Sequence, residues 1–96
     1  MKITIDKSAR DDLENIYGWI LADRPDSADL VIGCIFSAIS HLERLPNLGH
    51  KGRERGTYEW LVRGLPYVVV YEVNHALTEL TVVAVFHSAQ EQRHGY

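Results

Sequence analysis

The sequence lacks several features that would identify a function directly. It has one cysteine, Cys34, which excludes an intramolecular disulfide, and no set of histidines at metal-ligand spacing lies near it. No apolar run approaches the roughly 20 residues that span a bilayer, and Met1 to Lys7 carries no signal-peptide apolar region. GxGxxG, P-loop and nucleophile-elbow motifs are also missing. These absences predict a cytoplasmic protein with no metal, cofactor or membrane contact.

Composition and charge indicate one folded domain with a local basic region. The 96 residues are 46% hydrophobic, which predicts a single globular domain over residues 1–96, with a candidate disordered tail at about 91–96. The net charge of −3 argues against nucleic-acid binding through the whole surface. The segment from Pro46 to Gly64 is locally basic. Its charged residues are Lys51, Arg53, Arg55 and Arg63 against Glu54 and Glu59.

Two helices are predicted after a first short strand at Lys2 to Ile5. From Ser8 onward, apolar residues recur at helical spacing as far as Ile20, with Asp6 or Ser8 as the N-terminal cap. Trp19 lies off the centre of this stripe, so it is either a shoulder of the core, which we expect, or a partly exposed contact residue. Arg24-Pro25 ends the first helix and begins a second one. Because the connection is so short, the two helices form an antiparallel hairpin.

The second half of the chain is predicted to be a sheet. Tyr58 to Arg63 alternates as a strand and places Glu59 on a half-wet face. Two β-rich runs between Pro66 and Gln90 form an antiparallel hairpin. The expected fold is α+β, in the order β-α-α-β-β-β, with an N-terminal strand and the two-helix hairpin packed on one face of an antiparallel sheet.

A few side chains are candidates for chemistry or recognition. His87 lies at the exit of the last strand, where a histidine could act as an acid or base, although a hydrogen-bonded strand-end histidine is the alternative. Arg63, Arg53 and Arg55 could bind phosphates or carboxylates. Spacing alone therefore indicates an α+β binding module. The aromatic residues that could either stack on bases or pack in the core are Tyr58, Trp60, Tyr67 and Tyr71.

Five motifs, in order along nearly the whole chain, resemble the ParE/RelE superfamily of bacterial toxins, and its ParE branch more closely. Each motif is weak alone, but the set is fairly specific. They are Ala9-Arg10-Asp11-Asp12-Leu13 with Ile16 and Tyr17, Arg24-Pro25, Leu45-Pro46-Asn47-Leu48-Gly49, Pro66-Tyr67-Val68-Val69-Val70-Tyr71, and Val85-Phe86-His87-Ser88-Ala89-Gln90.

The resemblance implies the fold expected above and two competing activities. RelE-like members cut messenger RNA on the ribosome with basic residues and a late histidine, tyrosine or arginine, whereas ParE-like members poison DNA gyrase and have no known catalytic act. Here Glu59, Leu61 and Val68, and then Ser88 or Ala89, lie where the ribonucleases tend to carry cations. Each missing cation removes about 3 to 4 kcal/mol of transition-state stabilisation, and Glu59 adds repulsion.

The resemblance therefore predicts a non-enzymatic toxin of a type II toxin-antitoxin system that inhibits DNA gyrase by binding. The first alternative is a ribosome-dependent endoribonuclease of the RelE type, in which His87 and Arg63 would be catalytic, and the late His94 and Tyr96 keep it open. The second alternative is a non-toxic protein-binding module.

The partners implied by the resemblance are a cognate antitoxin and the target. The antitoxin is expected to be a DNA-binding protein of the ribbon-helix-helix type, held with the toxin in a hetero-oligomer, and sequence-specific nucleic-acid binding by this chain itself is not expected. The expected antitoxin contacts are Tyr17, Trp19, Arg53, Arg55 and Trp60. The expected target contacts are His87, Ser88, Gln90 and Arg93.

Overall fold

The fold is seen in a computed structural model that describes residues 1–90. Two long helices follow the first strand, four strands come next, and a 3-10 turn at Ser88–Gln90 ends the described chain. The predicted tail, with Arg93, His94 and Tyr96, lies outside the described residues. The elements are β1 (Lys2–Ile5), α1 (Lys7–Asp23), α2 (Pro25–Arg44), β2 (His50–Lys51), β3 (Tyr58–Leu61), β4 (Tyr67–Asn74) and β5 (Glu79–His87).

Local signals set the helix boundaries where the sequence predicted them. The Asp6 carboxylate accepts a 2.9 Å hydrogen bond from the Lys7 N–H and so caps α1. The Arg24 N–H donates to the Ile20 carbonyl at the end of α1, and Pro25 occupies the first turn of α2. The Tyr17 hydroxyl donates a 3.0 Å hydrogen bond to Asp29, which joins the helices directly. The antiparallel helical hairpin is therefore held by its turn and by a side-chain hydrogen bond between the helices.

The strands form one five-stranded sheet in the order β1-β5-β4-β3-β2. Strands β2 to β5 pair antiparallel with their neighbours. β1 pairs with β5 in parallel, because the chain returns to the sheet only after crossing over through the helices. The predicted α+β architecture is confirmed, with two additions: the sheet is mixed at its β1 edge, and a two-residue strand, β2, borders β3.

The helices cover one face of the sheet. Leu13 of α1 and Ile35 of α2 pack in one cluster with Val69 and Tyr71 of β4. A second, smaller cluster on the other face contains Val68, Val70 and Phe86. The two faces stay distinct because side chains alternate along β4.

A β-bulge changes this alternation in β5. Val70 pairs with Ala84, whereas the next residue, Tyr71, pairs with Val82, so Val83 is an extra residue. Val82 and Val85 consequently face the helices although they are three positions apart. The bulge lies just beyond the point where β1 stops pairing with β5 at Ile5 and Val82.

Two sequence predictions about single residues were wrong. Trp19 is 75% exposed, because it lies on the side of α1 that faces away from the core. Glu59 was expected on a half-wet face but is only 4% exposed, because its face of β3 lies against the loop that follows β2. In the described part of the chain, no helix is long and apolar enough to cross a membrane.

Candidate functional site

Beyond the last residue pair of β1 and β5, two side chains of α1 form hydrogen bonds with the backbone along the outer edge of β5. The Ser8 hydroxyl donates a 2.7 Å hydrogen bond to the Val83 carbonyl. The Val85 N–H donates a 3.0 Å hydrogen bond to the Asp12 carboxylate. Residues four apart lie on the same side of a helix, so both side chains reach the same strand edge. The first turns of α1 therefore satisfy two backbone groups that a neighbouring strand would otherwise bind.

The Asp12 carboxyl is electrostatically perturbed by this position. Its pKa is raised, first because partial burial disfavours the charged form and also because Asp11 is close by. The hydrogen bond from the Val85 N–H acts in the opposite direction, since it stabilises the carboxylate. Asp12 is thus a structural acceptor whose carboxyl group has a raised pKa.

His87 is held firmly at the exit of β5. Its ring packs edge-on against Tyr67, with ring centroids 5.3 Å apart and an interplanar angle of 82°. The Ala89 N–H donates a 3.0 Å hydrogen bond to His87 Nδ1, so in the neutral ring the proton lies on Nε2. The Ser88 N–H donates to the Pro66 carbonyl at 2.7 Å and fixes the chain as it leaves the sheet. Only Nε2 remains available for a partner.

A cleft of about 710 Å³ lies between the exit of β5 and α1. Ile16 and the exposed Trp19 line it from the helix, and Tyr67 and His87 line it from the strands. Burial raises the pKa of the Tyr67 hydroxyl, so this group stays protonated at neutral pH. The cleft is mostly apolar and aromatic, which suits it to a protein side chain better than to a phosphate.

Arg63 lies at the same end of the sheet as His87 but apart from it. It occupies the exposed turn between β3 and β4 and follows Val62, which bonds Tyr67 from the β3 side of β4, whereas His87 pairs with Tyr67 from the opposite side. Two strand spacings correspond to about 10 Å. Among the described residues, Arg63 has no ion pair and no hydrogen bond to His87. The structure therefore does not assemble the two into a ready-made catalytic pair.

Glu59 holds the basic loop that follows β2 against the sheet. Its buried carboxylate accepts a 3.2 Å hydrogen bond from the Arg53 N–H. The Arg53 guanidinium Nε lies 4.0 Å from Glu59 Oε2, and His50 Nε2 lies 3.9 Å from Oε1. The Glu59 carboxylate is thus attracted to the neighbouring Arg53 guanidinium. Arg53 has a structural role in this loop.

Arg55 reaches a second cleft, of about 650 Å³, on the sheet face opposite the helices. Glu54 and Glu72 also line it, and so do Ser8 and Asp12 from the start of α1. This cleft carries three carboxylates against one guanidinium. It meets the first cleft along β5, since Asp12, Val85 and Phe86 line both.

The five predicted antitoxin contacts do not form one patch. Tyr17 is half-buried on α1 and bonded to Asp29, and Trp19 projects from the same helix. Trp60 lies in β3 near the opposite edge of the sheet, half-buried against the core. Arg55, unlike Arg53, lines a cleft that residues of α1 also line. Of the predicted target contacts, His87 and Ser88 lie together at the exit of β5, Gln90 ends the 3-10 turn, and Arg93 lies outside the described residues.

The sequence analysis missed Ser8 and Asp12 as edge-binding residues. A weak signal was present, because a serine and an aspartate four apart at the start of a helix follow directly after a short strand. Nothing in the sequence indicated that the last strand would extend beyond its parallel neighbour.

Comparison with known proteins gives a consistent result. Residues 3–92 match the family model described as ParE toxin of type II toxin-antitoxin system, parDE. A Sinorhizobium fredii (strain NBRC 101917 / NGR234) protein named "Putative toxin Y4kP" is 32% identical over 71 residues, which is 74% of each chain.

Two solved structures share the fold. The chromosomal ParDE TA system from P. aeruginosa has a chain with a TM-score of 0.77 at 18% identity, covering 91% of this chain and 95% of that one. The toxin-antitoxin complex RelBE2 from Mycobacterium tuberculosis gives a TM-score of 0.57 at 24% identity, with coverages of 90% and 95%. Since the family model spans almost all of the described residues, the chain belongs to the ParE toxin family of type II toxin-antitoxin systems.

Proposed function

We propose that this toxin inhibits DNA gyrase by binding to it in the cytoplasm, without catalysing a reaction itself, and that a cognate antitoxin neutralises it. Membership of the ParE family supports the toxin assignment. The proposed target contacts are the residues at the exit of β5: His87, Ser88, Gln90 and Arg93. Both partners are proteins, which agrees with the apolar and aromatic cleft beside His87.

The observation that carries the proposal is the absence of cations from the centre of the sheet. Strands β3, β4 and β5 contain no lysine and no arginine. Cleavage of a phosphodiester gathers negative charge, and each well-placed cation stabilises that transition state by about 3 to 4 kcal/mol. A nuclease site built on these strands would lack that stabilisation. A binding surface needs no such charges.

One observation favours ribosome-dependent RNA cleavage as a second candidate. His87 and Arg63 lie at the same end of the sheet, and His87 Nε2 remains available. A substrate phosphate could in principle bridge the roughly 10 Å between their strands. The candidate is weaker because His87 Nδ1 is already engaged by the Ala89 N–H and no second cation lies on the strands between them.

For the antitoxin we propose the outer surface of the helical hairpin. Trp19, Leu30 and Phe36 are exposed there by 75%, 70% and 43%. A groove of about 340 Å³ between the helices is lined by Leu13, Tyr17, Ile32 and Phe36, with Arg10 and Glu14 at its rim. An amphipathic helix or an extended apolar segment fits such a surface. Arg55 is the proposed cationic contact, since Arg53 is engaged with Glu59.

Two assays on one preparation test the proposal. The purified toxin is added to gyrase with plasmid DNA, where we expect loss of supercoiling and accumulation of gyrase-cleaved DNA. The same preparation is added to a translating extract, where we expect intact message. The His87→Ala and Arg63→Ala variants are run in both assays.

The alternatives give different results. Message cut at the ribosomal A site, with cutting abolished by His87→Ala or Arg63→Ala, would establish the RelE-type activity instead. Normal growth of cells that express the chain without an antitoxin would favour a non-toxic binding module. A short upstream gene that encodes a ribbon-helix-helix protein would identify the proposed partner.

A further inference from the structure

One side of α2 is exposed along the whole helix and carries charge only near its two ends. Its residues recur mostly at steps of three or four, which places them on one side of the helix, opposite the buried Ile35 and Leu42. Leu30, within this side, is 70% exposed. We call this set the α2 stripe, and its residues are Asp26, Leu30, Gly33, Cys34, Ser37, His41 and Arg44.

The composition of the α2 stripe differs from that of an ordinary solvated side of a helix. Between Asp29 and Glu43, α2 contains no aspartate, glutamate, lysine or arginine. The exposed side of α1, in contrast, carries Arg10, Asp11 and Glu14 near its start. A helix side that faces only water normally carries charged side chains. The middle of the α2 stripe is therefore suited to contact with another protein surface.

The charges at the ends of the α2 stripe match a second copy of the same stripe. Asp26 lies at one end, His41 and Arg44 lie at the other, and Cys34 lies near the midpoint. When two such helices pack antiparallel about a two-fold axis near Cys34, the acidic end of each copy meets the basic end of the other. Among the described residues, no ion pair to Asp26 or Arg44 is present, so both are available for this contact.

We propose that the α2 stripe binds the α2 stripe of a second toxin copy, in an antiparallel two-fold dimer. Asp26 of each copy then faces His41 and Arg44 of the other copy. A parallel pair of the same helices would bring like charges together at both ends, which disfavours it. The contact goes beyond the proposed function and does not depend on the identity of the target.

The middle of the α2 stripe supplies the apolar part of this contact. In the antiparallel arrangement, Leu30 of each copy packs over the short Ser37 side chain of the other copy. The neighbouring Gly33 has no side chain, and a Cβ atom there would meet no atom within 4 Å, so the surface leaves room for a leucine from outside. Each exposed Leu30 loses contact with water when the dimer forms, which stabilises the pair.

The size of the α2 stripe predicts a weak, reversible dimer. The helix has 20 residues and is therefore about 30 Å long, and packed helices lie about 8 to 10 Å apart. A strip of roughly 30 Å by 10 Å on each copy buries on the order of 600 Å² in total, less than a stable permanent interface needs. We expect a Kd at or below about 100 μM, with exchange between monomer and dimer.

The dimer contact involves a different part of the helical hairpin from most of the surface proposed for the antitoxin. The groove lined by Ile32 and Phe36 lies between α1 and α2, and Trp19 belongs to α1. Of the exposed residues proposed for the antitoxin, Leu30 also belongs to the α2 stripe. Substitutions at the ends of the stripe therefore separate pairing of the toxin from binding of the antitoxin.

Sedimentation velocity of the full-length toxin, from about 5 to 500 μM, tests the dimer. We expect the mass to rise from monomer towards dimer across this range. Leu30→Glu places a carboxylate in the contact and should raise the Kd of the dimer at least about tenfold. Leu77→Glu makes the same change at a leucine that is 64% exposed between β4 and β5, and should leave the Kd unchanged. A toxin that stays monomeric throughout, or a dimer that Leu30→Glu does not weaken, would overturn the inference.

Reversals of charge test the antiparallel arrangement. Asp26→Arg and Arg44→Asp should each raise the Kd of the dimer at least about tenfold, because each leaves like charges facing across the axis. A mixture of the two variants should recover the wild-type affinity, because each copy then supplies the charge that its neighbour lacks. Recovery also shows that both variants are folded. A mixture that associates no better than either variant alone would rule out the arrangement, provided that circular dichroism shows both to be folded.

Cys34 allows a direct measurement at the axis. It is the single cysteine of the chain and is exposed, so a short bis-maleimide should join two wild-type copies through Cys34 and join few copies of Leu30→Glu. Equal yields from the two proteins would contradict the position of the axis. If Leu30→Glu weakens antitoxin binding while the wild-type toxin alone stays a monomer, the antitoxin occupies the stripe and the inference is wrong.

Discussion

The hydroxyl of Tyr71 binds the backbone of Gly49, at an N···O distance of 3.0 Å, and at the same time donates a 2.7 Å hydrogen bond to the Pro46 carbonyl. Tyr71 lies in the central strand β4 and is fully buried. The segment that leaves α2 is thereby fixed to the middle of the sheet. Since β2 and the basic loop follow directly, this tyrosine sets where both begin.

Tyr71→Phe should destabilise the fold by about 1 to 3 kcal/mol, because it leaves a partly buried N–H and a carbonyl without their partner. Urea denaturation followed by tryptophan fluorescence measures the change. Tyr67→Phe makes the same chemical change at a hydroxyl that has no hydrogen bond to another described residue, and should alter stability by less than about 0.5 kcal/mol. Equal effects of the two substitutions would contradict the anchoring role of Tyr71.

Gly49→Ala tests the same junction from the other side. A Cβ atom at Gly49 would lie 2.6 Å from the Tyr71 hydroxyl and 2.8 Å from the Glu59 carbonyl oxygen, too close for either. Because the backbone at Glu59 cannot easily move, we expect a loss of about 1 to 3 kcal/mol in the free energy of unfolding. Gly33→Ala, in the interior of α2 with no atom within 4 Å, should instead stabilise by up to about 1 kcal/mol. Both are measured by thermal or urea unfolding.

Local signals made the helical half of the fold predictable from the sequence. The cap at Asp6 and the break at Arg24-Pro25 depend on side chains a few residues away, and both lie where expected. Alternation likewise predicted β3, and the nearly continuous run of β-branched and aromatic residues predicted β4. The α+β architecture followed from joining these short-range features.

The β-bulge, the burial of Glu59 and the exposure of Trp19 were not predictable from the sequence, because they depend on contacts between residues far apart in the chain. The run Val82 to Phe86 is apolar throughout, so nothing in it indicates that Val83 is the extra residue of a bulge. Glu59 alternates like an exposed residue, and its burial arises only because Arg53 and the loop fold over it. Trp19 was placed in the core by its residue type, whereas the position of α1 on the sheet leaves it in solvent.

The raised pKa of Asp12 makes a prediction about pH dependence. With a folded pKa above its ordinary value of 3.8, the native state binds more protons than the unfolded state in the window between the two values. The contribution of Asp12 to stability is therefore greatest below 3.8, falls as pH rises through the folded pKa, and is constant above it. Asp12→Asn keeps a carbonyl acceptor for the Val85 N–H and removes the titration.

The measurement is the difference in unfolding free energy between the wild type and Asp12→Asn, followed upward from about pH 3. We expect the wild type to lose stability relative to the variant across the window and the difference to become flat at neutral pH. Asp12→Ala, which also removes the acceptor, should be less stable than Asp12→Asn at every pH. A difference that grows in favour of the wild type as pH rises would contradict the direction assigned to this pKa.

Trp19→Ala separates recognition from folding. Trp19 is 75% exposed, so its removal should change stability by less than about 0.5 kcal/mol. As an aromatic anchor on the α1 surface proposed for the antitoxin, it should nevertheless contribute about 2 kcal/mol or more to antitoxin binding, seen as a rise in Kd by titration calorimetry. Leu77→Ala removes a residue that is 64% exposed in the turn between β4 and β5, at the far end of the sheet, and should leave the Kd unchanged. If Trp19→Ala binds the antitoxin as tightly as Leu77→Ala does, the antitoxin does not engage the exposed face of α1.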